Sequence, residues 1–101
     1  MIYELLTEGA ENARTGRELA AVLGMNIRDI TAQVEAERRA GKPICAATGE
    51  KPGYFLPANT EELQRYCDAL KSRAIEVFKT RQALIRVLKG LQEQQQGEGG
   101  Q

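Results

Sequence analysis

The chain contains no histidine and no tryptophan, and it contains only two cysteines, Cys45 and Cys67. A zinc or other metal site is not expected, because histidine is missing and the two cysteines form no paired-cysteine motif. Both thiols are expected to be reduced and partly buried. No glycine-rich phosphate loop and no nucleophile–base pair can be assembled, so we expect neither an enzyme, nor a cofactor, nor a small-molecule substrate.

An excess of charge and a long hydrophobic run are also missing. Fourteen lysines and arginines balance fourteen aspartates and glutamates, so no strong field attracts the chain to nucleic acid or to an anionic membrane. Without a membrane-spanning run or a signal peptide, the expected location is the cytoplasm. A chain of 101 residues is expected to form one small domain with a modest core, with or without an appendage.

Residues 15–40 carry the signals of two short helices joined by a tight turn. Thr15, with a glutamate three residues later, has the spacing of a capping box at the start of the first helix. Gly24 suits the left-handed end of that helix, and Asn26 suits the start of the next one. Ile30 has the right spacing to fill the angle between the helices. The pattern predicts a helix-turn-helix.

Two short strands are predicted directly after this helix pair. Residues 44–46 and 54–56 are short apolar runs, and residues 48–53 between them are rich in Gly, Pro and Lys. An ordinary exposed hairpin would show the same pattern. The position of this predicted hairpin immediately after a helix-turn-helix favours its interpretation as a wing.

Residues 16–57 resemble the winged-helix DNA-binding domain of bacterial biotin operon repressors, and they are similar to related small bacterial and phage regulators. The resemblance rests on the segments GRELAAVLGMNIRDI, AGKPI and KPGYFLP, which include the glycine after the first helix and the Gly-Tyr-Phe-Leu-Pro ending of the hairpin. It does not extend to a biotin-ligase domain. The resemblance implies that the second helix enters the major groove of DNA while the wing contacts the backbone.

On this interpretation, the DNA-contacting residues lie on the outer face of the second helix, near the start of the first helix and at the wing tip. Arg28 and Thr31 are able to reach base edges, and Arg28 can pair bidentately with guanine. Arg14 and Arg17 suit phosphates. The predicted DNA-binding set is Arg14, Arg17, Asn26, Ile27, Arg28, Thr31, Ala32 and Lys51.

Negative charge near the groove-facing side departs from the pattern of the DNA-binding relatives. Asp29 and Glu35 lie near positions where Lys or Arg is usual, and Glu37 lies where a core apolar residue is typical. Because phosphate attraction supplies most non-specific affinity, this head alone is expected to bind DNA weakly. The alternative is a winged helix that docks another protein, for instance in a phage or replication assembly.

From Thr60 onwards the sequence predicts one helix of about thirty residues, because no proline interrupts it and the first glycine is Gly90. Its apolar residues recur at every seventh position, which indicates a coiled coil. Two positions of the repeat, which we call its two lanes, make up this pattern. The first lane is occupied by Leu63, Leu70, Val77, Leu84 and Leu91, and the second by Thr60, Cys67, Ala74, Arg81 and Leu88. Basic residues outnumber acidic ones between positions 71 and 89. The interpretation we favour is a solvated charged face, and the alternative is a stretch that runs along DNA phosphates and supplements the neutral head.

Two interpretations of this helix stay open. It pairs with a second copy, or its first half packs on the head through Tyr66, Leu70, Ile75 and Phe78. We expect a mixture, with a homodimer formed by the later part. The predicted dimer interface is Leu63, Cys67, Leu70, Ala74, Val77, Leu84, Leu88 and Leu91.

The predicted fold is mainly α, of the α+β class. It has a winged helix-turn-helix domain at residues 1–58, a long dimerisation helix at 59–93 and a disordered Gln/Gly-rich tail at 94–101. The predicted function is that of a homodimeric transcriptional regulator that reads two half-sites of double-stranded DNA.

Overall fold

A computed structural model of the chain describes the backbone of residues 1–99 and the side chains of residues 1–95. The chain is 66% helical and has one two-stranded antiparallel sheet and a long C-terminal helix. This confirms the predicted α+β fold class with a winged-helix-like layout. The chain divides into two compact units, Met1–Tyr66, which we call the head, and Cys67–Gln101.

Helix α1 spans Gly16–Leu23 and helix α2 spans Ile27–Arg39. The Thr15 hydroxyl oxygen accepts a hydrogen bond from the Glu18 N–H at 3.0 Å, and the Asn26 side-chain oxygen accepts one from the Asp29 N–H at 2.8 Å. Gly24 ends α1 in the left-handed conformation, with φ of 64°. The helix-turn-helix therefore has the N-cap residues and the turn that the sequence predicts, because each depends on residues only a few positions apart. Only the Thr15 half of the predicted capping box is present, since the Glu18 carboxylate lies 3.8 Å from the Arg14 guanidinium instead.

The spacing of Ile2, Leu5 and Leu6 predicts a short helix that stops near Gly9, but the first twelve residues do not form one. They form two short 3-10 turns, Tyr3–Leu5 and Ala10–Asn12, separated by extended backbone. The reason is pairing with the end of the hairpin, since the Leu56 N–H donates to the Thr7 carbonyl at 2.9 Å and the Gly9 N–H donates to the Leu56 carbonyl at 2.8 Å. Extended backbone here satisfies polar groups on both segments.

The hairpin consists of strands β1, Cys45–Ala47, and β2, Gly53–Phe55. The strands are antiparallel, with Cys45 opposite Phe55. Arg14 adds a single bridge to Tyr54, in which each backbone N–H donates to the carbonyl of the other residue. Residues 13–15 are compatible in sequence with a short strand before α1, and the structure has one paired residue there, Arg14.

The core of the head lies between the 3-10 turn Tyr3–Leu5, which we call the first turn, the two helices and the start of the hairpin. It is formed by six side chains that are at most 8% exposed, Ile2, Leu6, Leu19, Ile30, Val34 and Ile44. Cys45 is also buried, whereas Cys67 is exposed. The expectation that both thiols are partly buried is therefore wrong for Cys67, because its stretch of helix has no described neighbour covering it.

Gly53 lies where the hairpin meets the backbone before α1. Its φ is 139°, and a methyl group here would lie 2.5 Å from the Arg14 carbonyl oxygen. Gly49 in the turn has a φ of 104°, but a methyl group there meets no atom within 4 Å. Both positions carry the strain of positive φ, so a comparison of the two isolates the close contact.

We expect Gly53→Ala to lower the free energy of unfolding by about 1–3 kcal/mol more than Gly49→Ala, because only the first forces backbone segments apart. Urea unfolding followed by tyrosine fluorescence measures both losses. Equal losses at the two positions would show that the hairpin does not press on the chain before α1.

Glu37 is the one buried charged side chain of the described residues, at 8% exposed. Its two carboxylate oxygens accept hydrogen bonds from the Ile2 N–H at 2.9 Å and the Tyr3 N–H at 2.8 Å, and the Gln33 amide donates at 2.8 Å. Burial raises the pKa of this carboxyl, but the three donors outweigh burial and lower the pKa from 4.5 to about 2. The charge at this core position therefore has a structural role, which is to anchor the first turn to α2.

Helix α3 spans Thr60–Gly99. The Asn59 side chain caps it by accepting from the Glu62 N–H at 2.8 Å. The helix is longer than the predicted thirty residues, because helical backbone continues through Gly90 and into the segment 94–99, where Gln and Glu are good helix formers. The last two residues of the predicted tail, 100 and 101, lie outside the described residues. None of the described helices combines the length and the apolar character needed to cross a membrane.

Candidate nucleic-acid interface

The starts of α1 and α2 meet the hairpin around a shallow depression on the head. The depression is lined by Gly16, Ile27, Ala46, Ala47, Gly53 and Tyr54. Most of these residues are small, and a methyl group on Gly16 would lie 3.9 Å from the Ile27 side chain, so the elements approach closely. Arg17 and Arg28 each follow a lining residue directly in the sequence. The sequence reasoning missed the alanine pair on β1 and Gly16 as lining residues, although their small size was a signal for close approach.

The first turns of α2 present their predicted side chains to solvent. Arg28, Thr31 and Ala32 are exposed, and Ile27 is 51% exposed at the rim of the depression. The Thr31 hydroxyl donates to the Ile27 carbonyl at 3.2 Å, which leaves its oxygen able to accept. Arg28 makes no hydrogen bond or ion pair within the part of the chain that the structure describes, so its five N–H donors are available to a ligand.

Two residues of the predicted DNA-binding set are engaged inside the head. Arg14 is only partly exposed, donates to the Leu5 carbonyl at 3.3 Å and lies 3.8 Å from the Glu18 carboxylate. Asn26 uses its side-chain oxygen to cap α2. Both therefore stabilise the helix-turn-helix itself, and their contact with DNA stays a prediction.

The remaining predicted cations lie on the surface. Arg17 is exposed near the start of α1 and has no ion pair within the described residues. Lys51, in the hairpin turn, is exposed and its ammonium donates to the Glu11 carbonyl at 3.4 Å, which is a long and weak contact. Both side chains have freedom to reach an anion.

Two of the three acidic residues that depart from the pattern of the DNA-binding domains named above have partners within the head. Glu35 forms an ion pair with Arg38 at 2.8 Å, and Glu37 is directed inward to the first turn. Asp29 is exposed in the first turn of α2, where the helix dipole favours a negative charge. The repulsion that these carboxylates exert on an approaching phosphate is therefore smaller than the sequence alone suggests.

Arg38 has a connecting role that no sequence signal indicated. Its side chain donates to the Ile44 carbonyl at 2.8 Å, and its guanidinium lies 5.1 Å from the centre of the Tyr66 ring. It therefore joins the end of α2 to the entry of β1 and to the first turns of α3. Because the Arg38 guanidinium is held by these partners inside the head, it is unavailable to DNA.

The described residues contain no cluster of acidic or cysteine side chains that could hold a metal ion. Comparison with models of known protein families, with curated proteins and with solved structures found no match for this chain. The class of the head therefore rests on its own architecture, which is winged-helix-like.

Proposed function

We propose that this chain is a winged-helix protein that binds double-stranded DNA as a homodimer and regulates transcription. The observation that carries the proposal is the exposed start of α2, where Arg28 and Thr31 face solvent beside the hairpin and Arg28 has no internal partner. The resemblance of residues 16–57 to the biotin operon repressors supports the same docking mode.

In this mode the first two turns of α2 enter the major groove, which is wide enough to admit a helix. The Arg28 guanidinium donates two hydrogen bonds to O6 and N7 of a guanine, and the exposed Ile27 side chain contacts a thymine methyl group. Arg17 and the start of α1 contact a phosphate, and Lys51 contacts the backbone from the hairpin turn. Two heads in one dimer read two half-sites.

The charge of the head is compatible with this mode because its carboxylates are unevenly distributed. Glu35 and Glu37 are held by internal partners, whereas Arg17 and Arg28 are exposed and unpaired within the described residues. The exposed cations lie near the depression, but Glu18 beside Arg17 and Asp29 beside Arg28 are exposed as well and offset part of their field, so the local attraction for phosphate is modest. Binding to DNA is therefore expected to be salt-dependent but modest.

Arg28→Ala tests the proposal most directly. We expect about 5- to 100-fold weaker binding to the best duplex selected from a random library by the wild-type protein, because a bidentate contact to guanine is lost. Fluorescence anisotropy at several salt concentrations measures the affinity. Arg39→Ala is the matched control, since Arg39 is an exposed arginine on the same helix, about 16 Å further along its axis.

Unchanged affinity in Arg17→Ala, Arg28→Ala and Lys51→Ala alike would reject DNA recognition by this face. A second candidate, the docking of another protein, would then replace it. That candidate is favoured by two exposed apolar side chains on the helix-turn-helix, Val22 at 56% and Ile27 at 51% exposed.

A further inference from the structure

Helix α3 carries an apolar face that no described residue covers. Five leucines and valines along one side of the helix are between 39% and 64% exposed, and they are Leu70, Val77, Leu84, Leu88 and Leu91. Ile75, Phe78 and Val87 add further exposed apolar surface. A contiguous exposed apolar face formed by this many large side chains marks an interaction surface.

The seven-residue repeat identifies the kind of partner. A straight helix has 3.6 residues per turn, so a strict repeat of seven stays on one side only when the helix winds around another helix. We call the two sets of residues that form this repeat the seam. In coiled-coil notation, Cys67, Ala74, Arg81 and Leu88 occupy position a, and Leu70, Val77, Leu84 and Leu91 occupy position d. An irregular groove or a membrane surface would not require this repeat.

We propose that the seam pairs with the seam of a second copy of this chain, in antiparallel orientation. This rests on the homodimer of the proposed function and adds the surface, the register and the direction of its helices. Reversing one helix exchanges its two lanes, so each a residue lies opposite a d residue of the second copy.

Side-chain size favours the antiparallel register. With Cys67 opposite Leu91, the next layers place Ala74 opposite Leu84, Arg81 opposite Val77 and Leu88 opposite Leu70 of the second copy. In the first two of these layers a small side chain faces a leucine, so those layers have similar volume and pack evenly. A parallel pair instead faces cysteine with cysteine and alanine with alanine, and it leaves alternate layers thin.

Charge favours the same orientation. In a parallel pair the two Arg81 guanidiniums meet in one layer, with no carboxylate on the seam to separate them. In the antiparallel pair they fall in neighbouring layers, about 6 Å apart along the axis, and each lies opposite Val77 of the second copy. The basic residues beside the seam also face apolar neighbours, Lys71 opposite Ile85 and Arg73 opposite Val87, so no two like charges lie directly opposite one another.

The antiparallel register also sets the separation of the points where the two heads join the paired region. Residues 67 and 91 are about 36 Å apart along a helix, so the two Cys67 residues lie at opposite ends of the pair. This distance is comparable with one turn of duplex DNA, which separates the half-sites of dimeric helix-turn-helix proteins.

Disulfide cross-linking of the full chain tests both the partner and the direction. In Leu91→Cys the introduced thiol lies opposite Cys67 of the second copy, at a distance that a disulfide can bridge. With diamide as the oxidant that accepts the two electrons, we expect most of this variant to shift from a monomer to a dimer on non-reducing gels. Buried Cys45 should remain unreacted.

Two matched proteins complete the test. The wild type, with Cys67 alone on α3, and Cys67→Ser combined with Leu91→Cys should both stay monomeric on the gel, because like positions are far apart in an antiparallel pair. Dimer bands in either control would overturn the orientation in favour of a parallel pair. A wild-type monomer by sedimentation at tens of micromolar, without cross-links in any variant, would overturn the pairing and leave the face to a different partner.

No DNA is present in these measurements, so their failure is distinct from a failure of DNA binding. Circular dichroism confirms that each variant keeps its helix content. A cross-linked Leu91→Cys dimer that does not bind DNA would support the pairing while rejecting the proposed function of the head.

Discussion

Ile30→Ala is expected to lower the free energy of unfolding of the head by about 2–5 kcal/mol. Ile30 is fully buried at the crossing of α1 and α2, in contact with the core cluster that includes Leu19 and Val34. Alanine leaves a cavity that the two short helices cannot close without changing their angle. Because a small domain has only about 5–15 kcal/mol of stability in total, this single change removes a large part of it.

Ile27→Ala provides the matched control, since it deletes the same atoms one turn earlier on the same helix. Ile27 is 51% exposed, so its loss of stability should stay within about 0.5 kcal/mol. Urea unfolding followed by tyrosine fluorescence measures both, and all three tyrosines lie within Met1–Tyr66. Similar losses for the two variants would contradict the placement of Ile30 in the core.

Acid should destabilise the head through Glu37. The folded-state pKa of this carboxyl is about 2 against an ordinary value of 4.5, so the unfolded chain binds its proton at a higher pH than the folded chain. The resulting stabilisation is fully present above about pH 5 and is lost as the pH falls towards 2. Its size is about 3 kcal/mol, from the difference between the two pKa values.

Glu37→Gln replaces the ionisable carboxyl group, which links stability to pH, by an uncharged amide of nearly the same shape. We expect this variant to be less stable than the wild type at pH 7 and to lose much less stability between pH 5 and pH 2. Glu50→Gln is the control, because Glu50 is exposed in the hairpin turn. A Glu37→Gln curve parallel to the wild type would show that the hydrogen bonds to Ile2 and Tyr3 do not hold the carboxylate ionised.

Local features of this protein could be read from the sequence because their causes are local. Thr15, Gly24 and Asn26 act on backbone groups within a few residues, so the helix-turn-helix was predictable with its caps. The hairpin follows from turn-forming residues between two short apolar runs. The two lanes of α3 were visible because a seven-residue repeat needs no knowledge of the rest of the fold.

The roles of individual charged residues were decided only by the tertiary structure. Glu37 is anchored by backbone donors at Ile2 and Tyr3, more than thirty positions away, and Arg38 is held by the Ile44 carbonyl and the Tyr66 ring. A charged side chain has the same appearance in a sequence whether it is solvated, paired or buried. Its role depends on which distant donors and acceptors folding brings within hydrogen-bonding distance, and that information is absent from any local pattern.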